Sequence, residues 1–505
     1  MMKTIKIYLL GVSALFTVMS CNLDKFPDSA IDVEHAMESV ADCENFRTSL
    51  YGGMKYCFTG TYVYAPELQT DLYHAVLGFG GFHSSFYTYT VLTNESVCNS
   101  AWFGLYSYIA NANFLIAGTQ KLLADGMLSQ SDNAKLYQYY GEACYIRAHM
   151  YYLLSQYFCE DYEPATADNV YGIPVVLKYA PTADATKYPA RGSLAATYAQ
   201  ILADLKEAAT YITEPGKPNS AYVTKDVVKA LRARVALAMH DYDTAFNEAK
   251  ALIDNGTYPL MNDGGAYADG WVNDNLTETL WQPVMLDQTD IGNSFSYFIR
   301  NMTGTEGDDN PQYVPEDWAL KLYDRVNDIR YAAYFSERSI HMPTTGRLTL
   351  MVKYPGNPKL YSTTSNYVNQ PKVFRISEMY LIAAEAAVNR PGQEAVANYY
   401  LNELKGKRIA NWYDRTWSGQ SLVKEIRDER VRELFGEGFR MSDIKRWHIG
   451  FTRSAGQTPS MMAPGANYVS LSRPADDPFF LWPIPVSEVQ ANPQIEQNPA
   501  YTINK

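Results

Sequence analysis

Apolar and small side chains recur at spacings of three and four residues in many stretches of the chain, and this pattern limits the possible folds more than any other feature. Such spacing places the apolar side chains on one face of an α-helix. Successive helices are expected to pack as antiparallel pairs, so the predicted fold class is mainly α. The stretches are 101–124, 133–158, 193–212, 223–239, 241–255, 372–388, 393–410 and 420–437.

The stretch 223–239 is rich in alanine, including Ala230, Ala233 and Ala236. Small residues on one helix face allow two helix axes to approach closely. Alanine-rich helix pairs are typical of tetratricopeptide repeats, which have a regular period near 34 residues. Here the spacing is irregular, and insertions separate the pairs.

Two segments lack helical periodicity. Residues 51–100 are rich in Gly, Tyr, Phe and Thr, and residues 257–370 in Gly, Asn, Asp, Thr and Pro. The first is predicted to form long loops that expose aromatic side chains, and the second is predicted to be a long insertion with few periodic runs. Long irregular segments within a compact domain usually carry function.

The net charge argues against nucleic acid as a partner. The chain of 505 residues has 43 Lys and Arg against 55 Asp and Glu, a net charge of −12. Nucleic-acid binding would require a basic surface that displaces counterions from phosphates. The 41 tyrosines are unusual, and they indicate half-exposed rings, either in helix packing or on a surface that holds planar, hydroxyl-rich ligands.

The N-terminal residues 1–20 are predicted to be a lipoprotein signal peptide. Lys3 and Lys6 precede an apolar run from Ile7 to Val18, which is too short to span a membrane. Cys21 then follows a small-residue cleavage site, and this arrangement is similar to the lipobox of bacterial lipoproteins. Acylation of Cys21 would anchor the chain to a membrane.

The five other cysteines show no metal-ligand spacing, and their odd number leaves at least one thiol unpaired. Most are predicted to be buried free thiols.

The sequence predicts no catalytic residue, no cofactor and no metal site. The seven histidines are scattered without an HExxH motif, and no GxSxG motif is present. Glu429 and Glu433 lie on one face of the predicted helix 420–437 and could be read as a glycosidase pair. Because arginines interleave with these carboxylates, ion pairs that join the last helices are the preferred interpretation.

Several motifs together resemble the SusD/RagB family of outer-membrane lipoproteins, over nearly the whole chain. The most specific are C-terminal, at Phe374–Ala386, at Ile426–Arg440 and at Asp443–Trp447. Others are Leu23-Asp24 with Pro27, Trp102–Asn113, Glu142–Tyr152, Val227–Tyr242, Leu401–Leu404, Leu481–Pro485 and Asn498–Tyr501. Each motif is weak alone, but their order and spacing are specific.

The resemblance implies about four tetratricopeptide-like helix pairs with long inserted loops. It also implies a lipid-anchored protein of the outer membrane, facing outward, that captures oligosaccharides for a SusC-like TonB-dependent transporter. The alternatives are a peptide receptor of the RagB type and an anchored glycoside hydrolase. Residues 21–505 would form one domain, with an N-terminal part (22–256), an insertion-rich segment (257–370) and a C-terminal part (371–505).

Glycan capture without hydrolysis requires flat aromatic faces beside side chains that bind hydroxyl groups. The two loop-rich segments supply such residues, although each ring could instead be part of the core. The predicted ligand-binding residues are Tyr87, Tyr89, Trp271, Trp281, Tyr297 and Trp318.

Overall fold

The computed structural model describes residues 36–286, 310–341, 343–360 and 368–501. The helices of these residues are α1 (Val40–Met54), α2 (Thr61–Leu68), α3 (Ser84–Tyr87), α4 (Ser96–Ala124), α5 (Gln130–Phe158), α6 (Leu194–Tyr211), α7 (Lys225–Ala238), α8 (Tyr242–Asn255), α9 (Gly264–Asn273), α10 (Asp317–Leu320), α11 (Ile329–Tyr334), α12 (Ile376–Val388), α13 (Glu394–Arg408), α14 (Gly419–Leu434), α15 (Arg440–Arg446), α16 (Ala466–Val469) and α17 (Val486–Ala491). The prediction of a mainly α fold is confirmed, and each of the eight predicted helical stretches contains a helix.

Helices that are neighbours in the chain pack as hairpins, namely α4 with α5, α7 with α8, and α12 with α13. Side-chain caps fix where some of these helices begin, since Ser129 accepts from the backbone N–H of Asp132 and Asp241 from that of Thr244. Gly256, in the left-handed conformation, ends α8. Contacts between α8 and α12 join the N-terminal helices to the C-terminal helices.

The strands are short and form two-stranded antiparallel sheets. They are β1 (Tyr73–Ala75), β2 (Thr279–Trp281), β3 (Tyr313–Pro315), β4 (Phe335–Ile340), β5 (Gly346–Met351), β6 (Phe374–Arg375), β7 (Phe451–Thr452) and β8 (Ser472–Arg473). β1 pairs with β3, β2 with β6, β4 with β5, and β7 with β8. Two of these pairs connect segments that are far apart in sequence.

The largest hydrophobic cluster contains residues from both ends of the chain, from Met37 to Ile495. The C-terminal segment 478–501, which we call the C-terminal strap, contributes Trp482, Ile484 and Ile495 to this cluster. Trp482 of the strap stacks on Tyr157 with ring centroids 4.5 Å apart, and its indole N–H donates to Gln69 Oε1. The strap therefore completes a core that is otherwise made by helices far earlier in the sequence.

Buried ion pairs connect α14 to the segments around it. Glu433 lies within 3.0 Å of Arg330, Arg375 and Arg408, and these four side chains are almost fully buried. Burial alone would raise the pKa of Glu433, but the charges of Arg408 and Arg375 outweigh burial and hold this pKa well below its usual value. The preferred interpretation of these carboxylates as ion pairs is confirmed.

The prediction of long exposed loops over 51–100 is wrong in part, and the predicted insertion 257–370 also contains regular elements. The first segment contains α2, β1 and α3, and the second contains α9 and the hairpin of β4 and β5. Many of their aromatic side chains are buried, because rings from both segments pack together in a second hydrophobic cluster. Sequence periodicity could not detect this cluster, since the rings come from short elements with no repeated spacing.

The five described cysteines, Cys43, Cys57, Cys98, Cys144 and Cys159, are buried free thiols, which confirms that prediction. Among the described helices, none combines the length and the apolar character needed to cross a membrane.

Candidate functional site

Three of the predicted ligand-binding residues are inside the protein. Tyr87, Trp271 and Trp281 have no exposed surface. The Arg453 guanidinium lies 3.6 Å from the centroid of the Tyr87 ring, while Lys353 and Lys372 lie over Trp271. A ring without an exposed face cannot stack on a sugar, so in this structure the three residues are packing residues and the prediction for them is corrected.

Tyr89 and Trp318 are half-buried, and their side chains contact different residues. The Tyr89 hydroxyl donates to the backbone oxygen of Gln69, and Arg473 lies over the ring at 4.3 Å. The Trp318 indole N–H donates to the backbone oxygen of Asp71. Tyr297, the sixth predicted residue, and Cys21 lie outside the described residues.

A group of aromatic side chains that we did not predict lies at the surface, in the segment between α13 and α14. The rings of Trp412 and Trp417 are nearly parallel, with an interplanar angle of 18° and centroids 6.4 Å apart. The Tyr413 ring is also nearly parallel to the Trp412 ring, with an interplanar angle of 17° and centroids 6.4 Å apart. Tyr413 is 68% exposed, and the two tryptophans are half-buried. Lys405 Nζ lies 5.0 Å from the Trp412 ring and 5.8 Å from the Trp417 ring. The three nearly parallel rings thus form an aromatic group that solvent reaches, most of all at Tyr413.

Two buried asparagines of α13 fix the backbone that carries these rings. Asn398 donates to the backbone oxygen of Trp417 and accepts from its N–H, both at 2.9 Å. Asn402 makes the same pair of bonds with Arg415, at 2.7 and 3.0 Å, and accepts the indole N–H of Trp412 at 3.2 Å. The segment is therefore held in one conformation without regular secondary structure.

The three rings line one side of a surface cleft of about 430 Å³, which we call the aromatic cleft. Its volume is within the range of small-molecule sites. The Arg415 guanidinium lies 4.9 Å from the Trp412 ring and 5.0 Å from the Tyr413 ring. The cleft is also lined by Leu322, Asp324, Asn327, Lys405, Ile409, Ala410, Asn411, Glu425 and Arg432.

Ion pairs form the floor of the aromatic cleft. Lys405 Nζ lies 2.6 Å from Glu425 and 3.1 Å from Glu429, and Arg432 pairs with both glutamates. Burial alone would lower the pKa of Arg432, but the charges of Glu429 and Glu425 outweigh it and raise this pKa. The floor is fixed and charged, whereas Arg415, Asn411 and Asp324 offer exposed polar groups beside the rings. This combination can bind a ligand with apolar faces and many hydroxyl groups.

A second cavity, of about 140 Å³, lies between α5, α7 and the segment that follows α14. Its charged side chains are already paired, with Arg234 bound to Glu378 at 2.7 Å and Arg430 to Asp443 at 2.8 Å. A ligand there would have to compete with these ion pairs. The aromatic cleft is therefore the better candidate site.

The sequence did contain a signal for the aromatic cleft. Trp412, Tyr413 and Trp417 lie within six residues, next to Arg415. Such a density of rings between two predicted helices favours a surface role, because α13 and α14 already supply their own apolar faces.

Two family models match the chain. The model described as "SusD family" matches residues 277–501. The model described as "Starch-binding associating with outer membrane" matches residues 22–237. The two matches do not overlap, and together they span most of the chain.

The chain is also similar to two curated proteins of Formosa agariphila. It is 22% identical to SusD-like protein P38 over 99% of both chains. It is 30% identical to SusD-like protein P25 over 138 residues, which are 27% of this chain and 25% of that protein. The chain thus spans about a quarter of the length of P25 and nearly all of P38.

Solved structures share the fold. A SusD superfamily protein from Bacteroides thetaiotaomicron superposes with a TM-score of 0.77 and 24% identity, covering 91% of this chain and 100% of that one. The surface glycan-binding protein A of Bacteroides fluxus superposes with a TM-score of 0.66 and 19% identity, covering 91% and 99%.

Proposed function

We propose that this chain, which belongs to the SusD family, is a surface lipoprotein that captures oligosaccharides without cleaving them. We further propose that Cys21 anchors it to the outer membrane and that it passes the glycan to a SusC-like TonB-dependent transporter. The family description of association with the outer membrane supports the location.

The aromatic cleft is the observation that carries the glycan proposal. Near-parallel exposed rings suit the flat C–H faces of sugars, and the neighbouring amide, carboxylate and guanidinium groups suit their hydroxyls. The surface position suits a chain of sugars longer than the cleft itself. Capture can be weak, because an anchored receptor over a pore operates at high effective concentration.

Burial of the carboxylates on α14 supports binding without catalysis. Glu429 and Glu433 have no exposed surface, and arginines occupy their oxygens. A glycosidase needs two carboxyl groups on either side of an accessible sugar bond. Prolonged incubation with oligosaccharides should therefore release no reducing sugar.

Calorimetric titration of residues 22–505 with a panel of oligosaccharides, starch fragments included, tests the proposal. We expect binding to at least one glycan. Replacing Trp412 or Tyr413 by Ala should weaken it about tenfold, since an aromatic contact contributes roughly 0.5–1.5 kcal/mol beyond its area. Tyr399→Ala is the matched control, because Tyr399 is exposed on α13 and is not part of the cleft. Binding that none of these substitutions changes would place the ligand elsewhere, and no binding to any glycan would overturn the proposal.

A further inference from the structure

Side chains from four separate parts of the chain meet beside α15. Asp161 and Glu163 follow α5, His240 lies in the turn between α7 and α8, His448 follows α15, and Asp476 follows β8. We call these five residues the histidine–carboxylate cluster. None of them lines the aromatic cleft.

The potential ligand atoms lie at distances that suit a metal ion. One atom each from Asp161, Glu163 and His448 lies within 4.8 Å of the others. His240 Nε2 lies 3.1 Å from Asp161 Oδ2 and 3.6 Å from Glu163 Oε1. In a tetrahedral zinc site with bonds of about 2.0–2.2 Å, ligand atoms lie roughly 3.3 Å apart. Small side-chain shifts would therefore place all four residues around one ion.

Both ring nitrogens of His448 face carboxylate oxygens. Its Nδ1 lies 2.7 Å from Asp476 Oδ1, and its Nε2 lies 2.7 Å from Glu163 Oε1. Carboxylates only accept hydrogen bonds, and a neutral imidazole has one N–H to donate. Either a second proton or a cation must therefore lie between the imidazole and these oxygens.

The second nitrogen of each histidine has a partner that would fix the ring for metal binding. His448 Nδ1 faces Asp476, and His240 Nδ1 lies 3.1 Å from the Tyr242 hydroxyl. When both Nδ1 atoms donate to these oxygens, both Nε2 lone pairs point toward Asp161 and Glu163. Metal-bound histidines almost always have such a partner on the other ring nitrogen.

We propose that Asp161, Glu163, His240 and His448 bind a divalent transition-metal ion, with Asp476 and Tyr242 as the partners that orient the two imidazoles. Two imidazoles and two carboxylates are a ligand set suited to Zn²⁺, and the two carboxylates balance its charge. The ion would join the segment after α5, the turn between α7 and α8 and the end of α15. It would thus tie the N-terminal helices to the C-terminal ones.

Zinc titration of residues 22–505, which include every described residue, tests this proposal. The protein is first treated with a chelator, and calorimetry is done at slightly alkaline pH, where a free imidazole is neutral. We expect one zinc ion per chain, a higher melting temperature with zinc, and visible absorption when Co²⁺ replaces zinc. His448→Ala and His240→Ala should each weaken zinc binding at least about tenfold. Asp476→Asn should weaken it by about the same factor, although Asp476 is not a proposed ligand, because it orients the His448 imidazole.

His341→Ala is the matched control, because His341 is exposed and lies outside the cluster. It should bind zinc as the unmodified chain does. Melting of each variant in chelator, compared with the unmodified chain in chelator, shows whether the substitution disturbs the fold. If the unmodified chain binds no zinc, or if the variant with both histidines replaced binds it equally well, the proposal is overturned. In that case the contacts are hydrogen bonds between the imidazoles and the carboxylates.

Discussion

Glu67 is a buried carboxyl group whose environment favours the neutral form. It accepts the backbone N–H of Gly438 at 2.8 Å, while its Oε2 has no hydrogen-bond partner among the described residues. Burial raises the pKa of Glu67 to about 7. The folded protein therefore retains a proton on Glu67 at pH values where the unfolded chain has released it.

The raised pKa predicts how stability depends on pH. At pH values below the unfolded pKa of Glu67 both states are protonated and burial has no ionisation cost. As pH rises through the folded pKa of about 7, the folded state loses stability, by up to about 3 kcal/mol. Glu67→Gln should remove this dependence of the free energy of unfolding on pH. Denaturant unfolding at pH values between the unfolded and the folded pKa of Glu67 measures the change. An unchanged dependence in the variant would show that Glu67 is ionised in the folded protein.

Glu433 has the opposite behaviour, because it is surrounded by arginines. Glu433→Gln should lower the free energy of unfolding by about 3–5 kcal/mol, since it leaves buried guanidinium groups without their counter-charge. The lowered pKa also means that Glu433 stabilises the fold above its unfolded pKa and that this stability is lost as pH falls through the folded pKa. Denaturant unfolding measures both effects. Glu403→Gln, at an exposed position on α13, is the control and should change little.

The C-terminal strap has only short helical elements, yet it supplies Trp482, Ile484 and Ile495 to the largest hydrophobic cluster. Trp482→Ala should lower the free energy of unfolding by about 3–5 kcal/mol, because it leaves a cavity between Tyr157 and Phe86. Trp482→Phe should cost less, since it retains a ring at this position and loses the bond to Gln69. Equal losses for the two variants in thermal or denaturant unfolding would mean that the hydrogen bond, not the packing, matters most.

The sequence predicted the helices well, because their apolar stripes come from local spacing. α4 to α8 and α12 to α14 all contain the pattern. The site was predicted poorly, since burial of Trp271 and Trp281 depends on rings that are brought together from distant segments. The sequence could not indicate that His240 and His448 belong to one cluster. Only the folded chain places both histidines beside Asp161 and Glu163.

The proposed lipid anchor at Cys21 would hold the whole protein at the outer membrane. Cys21→Ala should release the protein from the membrane fraction, because about 0.8 kcal/mol per buried methylene of the acyl chains would be lost. The variant should still bind glycan, since Cys21 precedes the described residues. Fractionation of cells, followed by immunoblotting, measures the release. A variant that stays in the membrane fraction would contradict acylation of Cys21.

The strap also has a consequence for how the chain is made. Trp482 packs on Tyr157, which belongs to α5 and is translated early. The Tyr157 ring therefore cannot be covered until the C-terminal strap has left the ribosome. Until then the growing chain lacks the part of its largest hydrophobic cluster that the strap supplies. If the chain is exported as we propose, this cluster can be completed only after the strap has also crossed the membrane.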